Sequence, residues 1–249
     1  MNQIKTKTIV MNCVLLSIFS IKGNAQDTIQ QTKTDSIQLD SIPKQTFNPE
    51  DKVYHFNDKK LIIPATLITY GSLSLAIPAL DNLNKSTQNE ILEDKTKGNK
   101  FDNYTQYLPA VAVFGLNLAG VQGKHNLRDR TIILATSQII NTGLVMGLKH
   151  TVQEERPDGT NNLSFPSGHT ANAFSTAQFM FREYQDSNFW LSLAGYPLAA
   201  FTGVYRVINN RHWVGDVVAG AGIGILSTEL AYWLFPTINN WFSAKNKES

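Results

Sequence analysis

The chain has 249 residues, of which 42% are hydrophobic and 17% are charged, and its formal net charge is +2. A chain of this length can bury the core of a complete domain. The near balance of charge neither favours nor excludes an anionic ligand, but the absence of long basic runs argues against binding to nucleic acid. With a single cysteine, Cys13, the chain cannot form an internal disulfide.

The N-terminus has the pattern of a secretory signal peptide. Lys5 and Lys7 precede a short apolar stretch, and small residues end the segment at Ala25, which predicts a signal peptide over residues 1–25. A short membrane anchor is the alternative, although the stretch is too short for a comfortable span. Residues 26–59 are rich in Gln, Thr, Asp and Ser, and this composition predicts a flexible polar leader.

Apolar segments then predict an all-α domain over residues 60–240, followed by a polar tail at 241–249. Gly, Ala, Ser and Thr recur in these segments, and such small residues let helices approach closely, especially in membranes. We therefore expect a membrane-embedded six-helix bundle. A soluble periplasmic bundle is the alternative, because polar residues such as Asn141 and Glu229 interrupt the apolar runs. The six segments cover residues 61–80, 107–120, 131–148, 169–181, 189–205 and 213–235.

Two cations form the first of three short blocks of chemically active residues. Lys149 lies seven residues before Arg156, about two helical turns, so the pattern predicts that both share one face near a helix end, with Pro157 stopping the helix. Lysine supplies a point charge, and arginine supplies a planar fork that matches two phosphate oxygens. Alone, this block also fits a solvated basic helix end.

The second block, Pro166-Ser167-Gly168-His169, has the residues of a helix start. Free N–H groups at a helix start attract anions, and Gly168 lets the backbone approach a ligand closely. His169 can then stand beside the bound group. An ordinary capped helix with an exposed histidine is the alternative interpretation.

The third block contains Arg206, His212 and Asp216. The histidine and the aspartate are four residues apart, so they would share one face of a helix. A carboxylate bonded to one ring nitrogen fixes the tautomer and leaves the other nitrogen free to attack. A surface ion pair is the simpler alternative, but an up-and-down bundle would bring all three blocks to the same end.

The three blocks together resemble the motifs of the type 2 phosphatidic acid phosphatase superfamily. That superfamily also includes bacterial class A acid phosphatases and vanadium haloperoxidases. Residues 149–157 fit its first motif, 166–169 its second, and 206–216 its third. The chain departs from the family pattern at Tyr205, where the family usually has serine. The resemblance extends over roughly residues 60–236 and implies the same helical fold.

The resemblance also implies roles for individual residues. His212 would be the nucleophile that forms a phosphohistidine, Asp216 would orient it, and His169 would be the general acid that afterwards activates water. The family's chemistry requires neither a metal nor another cofactor, because fixed cations hold the phosphoryl group. The residues implied in phosphate binding are Lys149, Arg156, Ser167, Gly168 and Arg206.

The implied activity is hydrolysis of a phosphate monoester or a pyrophosphate. A membrane bundle favours a lipid substrate, such as undecaprenyl pyrophosphate, phosphatidylglycerol phosphate, phosphatidic acid or a lipid A phosphate. A soluble periplasmic acid phosphatase acting on small phosphate esters is the main alternative. A vanadate-dependent peroxidase and a non-enzymatic membrane protein are less favoured, because nothing indicates a halide site and every charged motif residue is retained.

The predicted location is a bacterial cell envelope, with the motif end facing the periplasm. Lys124, Arg128, Arg130 and Arg182 belong to the opposite end of the predicted bundle, and the positive-inside rule makes that end cytoplasmic. A cleaved signal peptide followed by six full crossings would give the reverse orientation, so the two signals conflict. His125, in the same loop as Lys124, is expected to be a surface residue.

Overall fold

A computed structural model describes residues 58–93 and 100–245, and within these ranges the chain is helical and contains no β-strand. The predicted all-α fold is therefore confirmed. The predicted signal peptide at 1–25 and all but the last two residues of the leader at 26–59 lie outside the described residues. The last residues of the polar tail, 246–249, also lie outside them.

Within the described ranges, a short 3-10 turn at Asp58–Leu61 leads into nine α-helices. The three longest are α5, α6 and α9, with 26, 17 and 32 residues, and shorter helices pack around them. In chain order the helices are α1 Ile62–Leu73, α2 Pro78–Glu93, α3 Asp102–Thr105, α4 Leu108–Leu118, α5 Leu127–Val152, α6 Gly168–Tyr184, α7 Phe189–Leu193, α8 Gly195–Ile208 and α9 Val214–Lys245.

Two of the predicted segments are divided. The first does not continue straight from 61 to 80, because α1 ends at Leu73 and α2 starts at Pro78 at an angle of 87°. Proline suits a first helical position but disfavours helical geometry at the residue before it, so the chain bends here. The fifth segment breaks at Ala194 into the short α7 and the longer α8.

Helix α6 forms the centre of the molecule, with 13 of its 17 residues buried. It packs against α4, α5, α8 and α9. Glycines allow the closest of these approaches, as the small residues of the last segment predict. A Cβ atom on Gly224 would lie 2.1 Å from the carbonyl oxygen of Ala171, and one on Gly220 would lie 2.6 Å from that of Ser167. The backbones of α6 and α9 therefore touch directly along their crossing.

Two helices in the described part of the chain are long and apolar enough to cross a membrane, namely α5 and the Val214–Trp241 stretch of α9. The bent pair α1–α2 would be a third if it formed one span. Only 22% of the apolar stretch of α5 is buried inside the protein, so most of its apolar surface faces outwards. This surface supports a membrane protein, whereas the helix lengths do not support six full crossings.

The expectation that His125 is a surface residue is wrong. Its side chain is buried, and its Nδ1 lies 2.6 Å from Oε1 of Glu183. The Tyr232 hydroxyl donates to the same carboxylate at 2.7 Å, and the Arg130 guanidinium lies 3.4 Å from it. A buried carboxylate needs such partners, so Glu183 draws His125 and the loop that carries it into the bundle.

Candidate active site

The three sequence blocks lie together at one end of the bundle and are tied to each other by hydrogen bonds. The Lys149 ammonium donates to the carbonyl oxygens of Leu163 at 2.5 Å and Ser164 at 3.1 Å, which joins α5 to the loop before α6. The N–H of Ser167, just before α6, donates to the carbonyl oxygen of Asp216 on α9 at 3.0 Å. An up-and-down bundle predicts the blocks at the same end, and the contacts place them side by side.

The first block is only partly helical, so the prediction that Arg156 shares a helix face with Lys149 is wrong. Helix α5 ends at Val152, where Gln153 adopts a left-handed conformation with φ of 51°. The chain reverses there, four residues before Pro157, and the arginine follows in the loop. Its backbone N–H and its Nε both donate to Asn161, each at 3.0 Å, and this anchors the arginine.

The second block begins α6 as predicted, but one of the expected anion donors is occupied. The N–H of Ser167 is bonded to the Asp216 carbonyl, and the Ser167 hydroxyl lies 2.9 Å from that of Thr170. The N–H of Ser167 is therefore not a free donor for a bound anion. The resemblance implies two backbone N–H groups in phosphate binding, those of Ser167 and Gly168. We still propose this role for the N–H of Gly168.

The third block brings His212 and Asp216 together, although not on one helix face. His212 precedes α9 by two residues, whereas Asp216 lies in its first turn. The Nδ1 of the histidine is 3.4 Å from Oδ2 of the aspartate, and both side chains are buried. The same Oδ2 accepts the N–H of Trp213 at 3.0 Å, so the carboxylate reaches back and fixes the turn that carries the histidine.

Ser164 belongs to this buried group, and sequence reasoning assigned it no role. Its hydroxyl donates to Oδ2 of Asp216 at 2.5 Å and lies 3.4 Å from Nδ1 of His212. It is fully buried. The ring of Tyr205, where serine is usual, is stacked on that of Phe201, with 5.4 Å between the ring centroids. The one sequence signal for Ser164 was its position two residues before the Pro-Ser-Gly-His block.

Two further residues at the site come from α3, which was not predicted. The buried carboxylate of Asp102 accepts a hydrogen bond from Arg206 at 2.5 Å. The side-chain oxygen of Asn103 lies 2.8 Å from Nε2 of His169. These residues precede their partners by 104 and 66 positions, so no local pattern could connect them.

The charges of the site act on both histidines. Burial, together with Arg206, Arg156 and Lys149, lowers the pKa of His169 to about 4, although Asp102 opposes the shift. Burial and the same cations hold the pKa of His212 well below its usual range. Both imidazoles are therefore neutral near pH 7 in the absence of an anion, and the three cations converge on the same small volume. A bound anion would relieve their mutual repulsion.

In the two ranges of chain that the structure describes, no group of three or more His, Cys, Asp or Glu side chains could hold a metal ion. The positive charge that is present at the site comes from side chains. Lys149, Arg156 and Arg206 thus form a fixed cationic cradle around the two histidines.

Part of the chain matches a known protein family. Residues 130–240, somewhat less than half of the chain, match the PAP2 superfamily. The resemblance inferred from the motifs is therefore confirmed. Helices α1 to α4, and with them Asp102 and Asn103, lie outside the matched residues.

Two proteins named lipid A 1-phosphatase are among the relatives of this chain. The chain is 34% identical over 209 residues to a lipid A 1-phosphatase of Porphyromonas gingivalis, an alignment that covers 81% of this chain and 46% of the relative. It is 27% identical over 135 residues to a lipid A 1-phosphatase of Helicobacter pylori, covering 52% of this chain and 68% of the relative. The chain thus spans about half the length of the first of these proteins.

Two solved structures are similar to this fold. One is a PAP2-type phosphatidylglycerolphosphate phosphatase from Bacillus subtilis, with a TM-score of 0.45, 18% identity, and coverage of 72% of this chain and 96% of that one. The other is LpxE from Aquifex aeolicus, with a TM-score of 0.41, 24% identity, and coverage of 53% and 82% respectively.

The cationic cradle predicts stabilisation by tetrahedral oxyanions. Vanadate or inorganic phosphate should raise the Tm of the purified protein, because an anion that binds only the folded state adds about 2.7 kcal/mol of stability at 100 times its Kd. Arg156→Ala should weaken this shift, and Arg211→Ala should not, since Arg211 is an exposed loop cation paired with Asp158 at 2.8 Å. Sodium chloride at equal ionic strength is the control. Equal anion-dependent shifts in the Tm of the two variants would contradict the role of Arg156 in the cationic cradle.

Proposed function

We propose that this protein is a metal-independent phosphatase that hydrolyses a phosphate monoester or a pyrophosphate of a lipid through a phosphohistidine intermediate. The observation that carries the proposal is the buried Ser164–Asp216–His212 group beside three cations. A neutral imidazole held by a carboxylate is a nucleophile, and cations beside it are the groups that a phosphoryl transition state requires.

In the first step, His212 attacks phosphorus. Asp216 lies at its Nδ1, so Nε2 is the attacking atom. As the N–P bond forms, the bond from phosphorus to the leaving oxygen breaks, and its electron pair goes to that oxygen. His169 transfers a proton to the same oxygen, and the free alcohol or phosphate departs. Bound phosphate opposes the cations that lower the pKa of His169, so substrate binding favours the protonated acid that this step needs.

In the second step, water hydrolyses the intermediate. His169, now neutral, takes a proton from the water as its oxygen attacks phosphorus. The electron pair of the N–P bond returns to His212, and inorganic phosphate leaves. Throughout, Lys149, Arg156, Arg206 and the N–H of Gly168 would hold the phosphoryl oxygens, because electrostatic stabilisation of this kind is usually the largest catalytic contribution.

An apolar groove beside the site supports a lipid substrate. Its cavity volume is about 430 Å³, and apolar side chains from α1, α2, α6, α8 and α9 line it, with Thr87 as the exception. Val207 in its wall follows Arg206, and Val214 comes two residues after His212. A phosphate held by the cradle therefore has a place for a hydrocarbon chain next to it. The outward apolar face of α5 favours the same choice over a small soluble ester.

Among phosphorylated lipids, lipid A 1-phosphate is the substrate that we propose first. The support is the name shared by the relatives that are 34% and 27% identical to this chain. The matched region includes both histidines and all three cations of the cradle. Undecaprenyl pyrophosphate, phosphatidylglycerol phosphate and phosphatidic acid carry the same reactive group and form the comparison set.

We also propose that the active end faces the periplasm of a bacterial cell. Lys124 and Arg128 expose their charges at the opposite end, whereas Arg130 and Arg182 are held in buried pairs with Glu183 and Glu229 and add little to the orientation. Helix α9 starts at the site and ends at the opposite end, so a reporter fused after residue 249 should be cytoplasmic. A periplasmic reporter on a protein that resists carbonate extraction would reverse the orientation.

A phosphate-release panel tests the activity. The purified protein in detergent is assayed against lipid A 1-phosphate, the three comparison lipids and a soluble aryl phosphate. We expect the highest kcat/KM with lipid A 1-phosphate, competitive inhibition by vanadate and no inhibition by EDTA. His212→Ala should lower kcat by about 10⁴-fold or more, because it removes the nucleophile. Strong inhibition by EDTA, or a His212→Ala variant with the wild-type rate, would refute the mechanism.

A pair of valine variants separates lipid recognition from catalysis. Val204→Trp fills part of the groove and should lower kcat/KM for the lipid by about tenfold more than for the aryl phosphate. Val111→Trp on α4 is the matched control, because Val111 is comparably exposed, at 62% against 57%, and lies outside the groove. Equal effects of the two variants on lipid turnover would rule out the groove as the lipid site.

A further inference from the structure

A short segment between α2 and α4 forms hydrogen bonds with residues of the candidate active site. It comprises α3 and Gln106, and we refer to residues 102–106 as the site strap. Its first residue, Asp102, is paired with Arg206, and its last, Gln106, accepts a hydrogen bond from Asn172 at 3.1 Å. Between them, the Thr105 hydroxyl lies 2.8 Å from that of Thr202.

Buried side chains and several hydrogen bonds hold the strap in place. The side chains of Asp102 and Gln106 are buried, and the backbone oxygen of Gln106 accepts a second hydrogen bond, from the Thr176 hydroxyl at 2.9 Å. The side-chain Nε2 of Gln106 also donates to the backbone oxygen of Asn103 at 2.9 Å. The strap is thus anchored to α6 and α8 on both sides of Asn103 in the sequence. The backbone of Asn103 therefore has little freedom to move.

The side chain of Asn103 makes one contact that matters for chemistry. Its Oδ1 lies 2.8 Å from Nε2 of His169, within hydrogen-bond distance. An amide oxygen can only accept, so this arrangement places a proton on Nε2 and sets the plane of the ring. When His169 is protonated, the imidazolium carries a second N–H on Nδ1. Asn103 would then hold one N–H while the other is available to a leaving group.

We infer that Asn103 is a positioning residue that holds His169 in the orientation and tautomer needed for proton transfer to the leaving group. The inference rests on the proposed phosphatase activity and extends it to a residue outside the matched superfamily region. Asn103 is not placed on the phosphoryl group itself. It acts through the histidine, as Asp216 is proposed to act through His212.

This role predicts an effect that depends on the leaving group. A general acid matters most when the departing oxygen is a poor leaving group, as in an alkyl phosphate. It matters little for an aryl phosphate such as p-nitrophenyl phosphate, whose oxygen leaves without protonation. Loss of Asn103 should therefore slow phosphoenzyme formation from the first substrate far more than from the second.

The charged groups around His169 define what a change at Asn103 would do. Arg206, Arg156 and Lys149 disfavour the imidazolium, and Asp102 favours it. Asn103→Asp keeps an acceptor oxygen at the same place and adds a negative charge beside Nε2. That charge raises the pKa of His169, so the acid stays protonated to higher pH. The alkaline limb of the pH–kcat profile should move upwards by about one pH unit.

The test compares kcat/KM for a short-chain alkyl phosphate and for p-nitrophenyl phosphate. Asn103→Ala should lower the alkyl value by at least about tenfold, a part of the ~10²–10⁴ that a general acid contributes, and leave the aryl value within about twofold. Asn103→Asp should restore much of the alkyl activity, with the shifted alkaline limb. Tyr104→Ala is the matched control, because Tyr104 belongs to the same short helix and its side chain is exposed.

Each other outcome counts against the inference. Equal losses with both substrates would mean a structural role, and a higher KM with unchanged kcat would mean that Asn103 acts by binding the substrate. Unchanged kinetics would also overturn it. If Asn103→Ala does not fold, as judged by Tm, the pH profile of Asn103→Asp decides alone, and an unshifted limb refutes the inference. A wild-type protein that releases phosphate neither from these two substrates nor from the lipid panel would instead refute the proposed phosphatase activity.

Discussion

The gathering of like charges at one end of the bundle is the constraint on which the rest of the site depends. Lys149, Arg156 and Arg206 converge on two imidazoles in a largely buried volume, and their repulsion must be countered by the fold. Asp102 neutralises one cation directly, and two backbone oxygens accept from the lysine. Asp102 carries one negative charge against three positive ones, so the site still favours an anion bound between the cations.

The opposite end of the molecule holds this arrangement in place. There, Glu183 is bonded to His125 and Tyr232, and Glu229 to Arg182 and Gln178. Both carboxylates lie on the long helices α6 and α9, whose other ends carry His169 and Asp216. Buried ionic groups of this kind favour one relative position of the helices, since any shift would leave a buried charge without its partner. The glycine contacts between α6 and α9 add to that restriction.

Sequence reasoning could predict the helical fold and the grouping of the three blocks, because both depend on local periodicity and spacing. It could not place helix ends that depend on a single backbone conformation, as at Gln153, where α5 stops before Arg156. It also missed contacts between distant parts of the chain. Asp102 and Asn103 lie in a polar stretch with no periodic pattern, and only the folded chain brings them to the motif residues.

The central claim is that phosphoryl transfer passes through His212. Its most direct test is a rapid quench of the protein with substrate labelled in the reacting phosphate, followed by peptide mapping under alkaline conditions that preserve phosphohistidine. We expect an acid-labile label on the peptide that contains His212, appearing before free phosphate and absent from His212→Ala. A protein that turns over substrate without acquiring a label, or that carries the label on another residue, would contradict the account.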